Sequence, residues 1–153
     1  SRIRKPRFGL KSRGLGDVYK RQKHDFIPLI DELSFLDDYW SLLKVRFNDA
    51  IHMKINISRD RMDDLLPPLS LQFLIENAVK HNEATRKSPL FIEIRENQGQ
   101  LIVQNKINSK NYPPESERIG LMNLQERFTV LYKPIEYGIE DGYFIVRLPL
   151  RTA

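Results

Sequence analysis

Cysteine is absent from this 153-residue chain. That excludes disulfide frameworks, thiolate metal sites and cysteine nucleophiles together, and it fits a reducing compartment. No apolar run approaches the ~18 residues that a membrane-spanning helix needs. The basic N-terminus is followed by no apolar segment, so it does not read as a secretory signal. Histidine is scarce, at His24, His52 and His81 only. Internal repeats and low-complexity stretches are missing. What is present is a globular balance, 41% apolar and 29% charged. The length suits one domain, or one domain and a tail.

Charge is unevenly spread. Residues 1–22 hold eight Lys/Arg against one Asp, a charge of +7, whereas residues 23–153 hold 17 basic and 19 acidic residues, a charge of −2. A basic arm of this kind suggests nucleic acid or an anionic surface. However, Ser12 to Gln22 reads Ser-Arg-Gly-Leu-Gly-Asp-Val-Tyr-Lys-Arg-Gln. This resembles the in-frame translation of a transposon-end adapter used in DNA library preparation. Residues 1–22 are accordingly set aside from fold reasoning as a non-native tail. The natural sequence is then expected to start near Lys23, inside a longer protein. A nucleic-acid partner is not expected of the remaining domain.

Leu29, Leu33, Leu36, Trp40, Leu43 and Phe47 recur at steps of three and four. They predict an amphipathic helix over 28–48, with Pro28 in its first turn. Met53 to Ile57 alternates as a strand. Pro67-Pro68 is expected to open a second helix that runs to about Asn82. Leu90 to Arg95 and Leu101 to Val103 flank Asn97-Gln98-Gly99, a hairpin signature. Asn105 to Arg118 is polar and reads as a long loop. Leu121, Leu124, Phe128 and Leu131 predict a third helix. Ile135 to Ile139 and Tyr143 to Leu148 flank Glu140-Asp141-Gly142, a second hairpin. This order predicts an α+β fold, a two-layer sandwich of a mixed sheet with helices on one face.

On the second helix, at about 100° per residue, Leu71, Leu74, Ile75 and Ala78 share one face. Glu76, Lys80 and Asn77 fall at about 340°, 20° and 80° from Leu69, on the opposite face. An acid, an amine and an amide thus project together. Spacing alone equally describes a solvated face with a Glu76–Lys80 pair.

Leu66-Pro67-Pro68-Leu69-Ser70-Leu71-Gln72-Phe73-Leu74-Ile75-Glu76-Asn77-Ala78-Val79-Lys80-His81-Asn82 resembles the N-box of LytS-type sensor histidine kinases, members of the GHKL ATPase superfamily with the Bergerat fold. Tyr39 and Arg46-Phe47 resemble the helix before that family's first catalytic-domain strand. Ile119-Gly120-Leu121-Met122-Asn123-Leu124-Gln125-Glu126-Arg127-Phe128 resembles its second glycine box. The likeness spans about residues 26–150.

This resemblance implies an ATP-binding domain with Mg²⁺. It assigns the Mg²⁺-binding amide to Asn77 and the acid beside the γ-phosphate to Glu76. Lys80 would neutralise phosphate charge. His81 is open between a phosphate or ribose contact and a role at the helix end. Gly120 is expected just before the third helix, whose N-terminus would receive phosphate, with Leu121 and Asn123 beside the nucleotide. Arg127 either joins them or forms a structural ion pair. Residues 106–118 take the place of the ATP lid.

The family's first glycine box has Asp and then Gly. Here Asn105 falls at the Asp position, and the Gly is missing. Asn105 either accepts from the adenine amino group or serves as a turn residue. Arg118 stands where an earlier Gly of the second box is expected, and either clamps phosphate or stiffens the lid. No Pro-His-Phe phosphoacceptor motif is present, and His24 and His52 lack its context.

The resemblance thus implies a histidine protein kinase domain that transfers the γ-phosphoryl group to a histidine-bearing dimerisation hairpin of a homodimeric parent. A response regulator of LytTR type would follow. The setting implied is the cytoplasmic side of an inner-membrane sensor. The alternative is a degenerate GHKL pseudokinase or interaction module with weak or no ATP binding.

Overall fold

A computed structural model describes residues 25–108 and 115–153, with side chains from Ile119 onward in the second stretch. Tail residues 1–22 and His24 lie outside it.

The chain opens with β1 (Ile27–Pro28) and passes directly into α1 (Leu29–Phe47). Leu29, Leu33 and Leu36 are buried, while Trp40, Leu43 and Phe47 are only partly covered. Burying each of the first three contributes about 1.5–3 kcal/mol. Asn48, at φ 50°, ends the helix, and its N–H bonds to Lys44 O. Such a residue tolerates the left-handed region better than most.

β2 (Ile51–Asn56), β3 (Leu65–Leu66) and α2 (Ser70–His81) follow. Then come β4 (Leu90–Asn97), β5 (Gln100–Lys106), α3 (Glu115–Leu131), β6 (Glu136–Glu140) and β7 (Tyr143–Pro149). Five strands form a mixed sheet in the order β2-β4-β5-β7-β6. β2 and β4 are parallel, and the other neighbours are antiparallel. The parallel pair requires a crossover, and α2 lies within it. Gln98 and Gly99 (φ 52° and 79°) turn the β4–β5 hairpin, and Asp141 and Gly142 (φ 52° and 81°) turn the β6–β7 hairpin.

Alternation puts Ile51, Ile55, Leu90, Ile92, Ile94, Leu101, Val103, Phe144, Val146 and Leu148 on one face. The apolar stripes of all three helices pack there. His52, Lys54, Phe91, Glu93 and Gln104 lie on the other face, where His52 and Phe91 stack at 4.8 Å. The α+β sandwich with helices on one face is therefore what the sequence predicts.

A smaller sheet sits at one corner, where β1 pairs with β3 antiparallel. Leu65 also exchanges both backbone hydrogen bonds with Arg151, at 2.7 and 2.9 Å. The Arg151 guanidinium rests 4.7 Å from the Phe26 ring centre.

Two boundaries differ from the sequence expectation. The prolines do not open α2. Leu66 is already extended before Pro67, as a residue before proline prefers. The helix begins only after Leu69, whose φ of 68° lies in the left-handed region. The long loop is also shorter than 105–118. β5 continues through Lys106, and α3 already runs from Glu115.

Candidate functional site

α2 and α3 bound a cleft of about 390 Å³, lined by Leu69, Gln72, Phe73, Glu76, Gly120, Asn123, Leu124 and Arg127. Glu76, Gly120, Asn123 and Arg127, predicted from two separate motifs, thus meet in one place. Glu76 is exposed there, and Lys80 is exposed one turn further along α2. Tyr39 of α1 is half-buried within the field of Glu76. Burial, and then the Glu76 charge, raise its phenol above the ordinary value of 10.0.

Asn77 departs from the helical-wheel expectation. It does not project with Glu76 and Lys80 but is only 3% exposed. The buried face of α2 is wider than four apolar residues imply, and it takes in Ser70, Asn77 and His81 along its polar edge. The Asn77 Oδ1 is buried and accepts no hydrogen bond among the described residues. An unsatisfied buried carbonyl costs about 1–3 kcal/mol. His81, one turn on, is 5% exposed, and neither residue lines the cleft.

Asn105 is 4% exposed on the inner face of β5. Its Nδ2 donates to Lys106 O at 3.1 Å, which leaves its Oδ1 as an acceptor. The turn-residue alternative is excluded, because Asn105 sits within the strand, opposite Phe144.

The glycine box is corrected. Gly120 does not precede a helix. It is the sixth residue of α3, beyond the first four positions whose N–H groups lack helical partners. A phosphate cradle at a helix start is therefore not built at Gly120. Its missing side chain serves packing, since a Cβ there would lie 2.9 Å from the Phe73 ring. Leu121 is fully buried in the core and does not line the cleft. Asn123 is exposed in the cleft, where the sequence places it. The Arg118 side chain lies outside the described residues, as does the middle of the expected lid, 109–114.

The first residues of the segment expected to form a lid are held by hydrogen bonds. Asn108 N donates to Asn82 Oδ1 at 2.9 Å, and Glu83 N donates to Asn108 O at 3.0 Å. Asn82 Nδ2 in turn donates to Ala78 O at 2.9 Å, and Asn108 Nδ2 reaches Pro89 O at 3.0 Å. These bonds fasten the exit of β5 to the end of α2.

Sequence reasoning also missed Glu32. It lies within the apolar stripe of α1 and is only 1% exposed. Its two carboxylate oxygens accept from Leu69 N and Leu71 N, each at 2.9 Å. Hydrogen bonds to a charged acceptor are worth about 1.5–3 kcal/mol each. They offset the roughly 1–2 kcal/mol that left-handed backbone costs at Leu69. They also occupy the positive end of α2, where an anion would otherwise be favoured. A carboxylate between Leu29 and Leu33 was the available sign.

A second hollow of about 320 Å³ lies on the open face of the sheet, between His52, Phe91 and Tyr143. It contains no residue that the family resemblance assigns to the nucleotide site.

No protein-family model matches the chain. It is 28% identical over 141 residues to the sensor histidine kinase BtsS of Escherichia coli (strain K12), which covers 86% of this chain and 25% of that protein. It is 30% identical over 101 residues to the sensor protein LytS of Staphylococcus saprophyticus, covering 64% of this chain and 17% of that one. Among solved structures, the cytoplasmic segment of the histidine kinase QseC superposes with a TM-score of 0.59 at 20% identity, over 84% of this chain and 78% of that one. The Acinetobacter baumannii histidine kinase AdeS gives 0.56 at 12% identity, over 90% and 74%. The chain spans about a quarter or less of these two sequence relatives. Its homologues are sensor histidine kinases, LytS among them, and its fold is that of histidine kinase segments.

Proposed function

We propose that the chain is the ATP-binding catalytic domain of a two-component sensor histidine kinase. The observation that carries this reading is the buried Oδ1 of Asn77, which has no partner among the described residues and lies one residue from the exposed Glu76. A desolvated amide oxygen is a hard, neutral donor that suits Mg²⁺, which takes few protein ligands and completes its shell with water and phosphate. When bound, Mg²⁺ would offset charge between the ATP phosphates. Asn77 holds the acceptor, Glu76 presents a carboxylate at the cleft, and Lys80 adds a point cation one turn away. Asn105 offers Oδ1 towards an adenine amino group. Asn123 and Arg127 supply polar contacts from the facing helix. Positioning and electrostatics are what phosphoryl transfer chiefly asks of a protein.

The phosphoryl acceptor would be a histidine on a dimerisation hairpin of the parent homodimer, and then a response regulator of LytTR type. The domain would face the cytoplasm beneath an inner-membrane sensor. Among the described residues no helix is long and apolar enough to cross a membrane.

A non-catalytic module is the second reading. It is favoured by Asn105, which lacks the charge of the family's Asp; the loss weakens adenine binding by about 1 kcal/mol. Calorimetric titration of ATP with and without Mg²⁺ separates the two. Mg²⁺-dependent binding that is lost in Asn77→Ala supports the kinase. A folded domain that binds nothing supports the module.

A further inference from the structure

We propose that Glu32 is a positioning residue that sets the rotation of α2 and hence the placement of Glu76 and Asn77. Its purpose rests on the nucleotide reading above, while its contacts stand on the geometry alone.

Three consecutive residues at the start of α2 are pinned. Leu69 N and Leu71 N both donate to the Glu32 carboxylate at 2.9 Å. Between them Ser70 Oγ donates to Pro67 O at 2.6 Å. A helix turns by about 100° per residue, so its first turn fixes the direction of every later side chain. A slip of one residue would carry Asn77 out of the core and swing Glu76 away from the cleft. Glu76 lies seven residues after Leu69, two turns along α2, so the anchored first turn sets the direction in which it projects.

The test uses the full chain, with Glu32→Gln compared against Ile55→Val, a buried β2 substitution outside the Glu32 hydrogen bonds and the cleft lining. Amide hydrogen exchange and Mg²⁺-ATP affinity are measured on each. Glu32→Gln should quicken exchange from Leu69 through Lys80 and weaken Mg²⁺-ATP binding about tenfold, or about 1.4 kcal/mol. Ile55→Val should leave affinity unchanged at comparable loss of melting temperature. Unchanged affinity in Glu32→Gln overturns the proposal. Should Glu32→Gln not fold, Glu32→Asp, charged but shorter, is held to the same comparison. If the unaltered chain binds no ATP, the nucleotide reading fails and exchange decides for Glu32. Quickening confined to Leu69–Leu71 then refutes a positioning role, and quickening that extends to Glu76 and Asn77 sustains it.

Discussion

Replacing Asn77 by Leu, its close match in shape, should stabilise the empty domain while abolishing its ligand response. Asn77 is 3% exposed and its Oδ1 has no partner among the described residues. Relieving one unsatisfied buried acceptor is worth about 1–3 kcal/mol. For a chain near this size each kcal/mol moves the midpoint by about 2–4 °C. Circular-dichroism melts of Asn77→Leu should therefore shift upward by about 2–12 °C. In the unaltered chain, Mg²⁺-ATP at ten times its Kd should add about 1.4 kcal/mol of stability. In Asn77→Leu it should add none. A lower midpoint for Asn77→Leu would mean that the amide is structurally satisfied. An undiminished response to Mg²⁺-ATP would mean that Asn77 is not the ligand.

Gly120→Ala gains about 1 kcal/mol of helix propensity, but its Cβ displaces the Phe73 ring, at about 0.5–1.5 kcal/mol for the off-rotamer side chain. Stability read by denaturant melts should stay within about 1 kcal/mol of the parent; a loss of several would show that Phe73 cannot yield. Glu76→Gln removes a negative charge beside Tyr39, so the phenol should titrate lower by ultraviolet absorbance, yet stay above 10.0 because burial is the larger cause. The Arg147 hydrogen bond at 2.9 Å holds the Glu140 carboxyl below its ordinary 4.5. Its contribution is thus present above that value and fades as pH falls through the depressed one. In Arg147→Met, carbon-detected titration of Glu140 should move up towards 4.5, and an unmoved value would refute the pairing.

The apolar stripes of α1 and α2 were legible because burial follows the helical period, and both hairpins because Gly99 and Gly142 stand where positive φ is needed. Asn77 was placed on the wrong face because a wheel drawn from apolar residues alone underestimates a buried arc edged with polar ones. The first turn of α3 was missed because Glu115 to Arg118 shows no apolar period. The partners of Glu32 and Asn108 were illegible, although a carboxylate inside an apolar stripe marked Glu32 itself as unusual. Those partners lie 37 and 26 positions away in sequence, and no local pattern announces such a bond. Among the glycine-box residues, Asn123 lines the cleft because helical phase carries it there. Gly120 does not stand before the helix because its neighbours continue the helix upstream.

The corner where Phe26, Leu65 and Arg151 meet has a mechanical consequence. A pull applied to the chain before Phe26 and beyond Arg151 acts on two points already side by side. The load passes through two short backbone pairings and one ring contact, which peel open bond by bond. The five-stranded sheet and α2 stay outside that path. Tension along the polypeptide would therefore spend itself at this corner, apart from the Glu32 hydrogen bonds that join α1 to the start of α2.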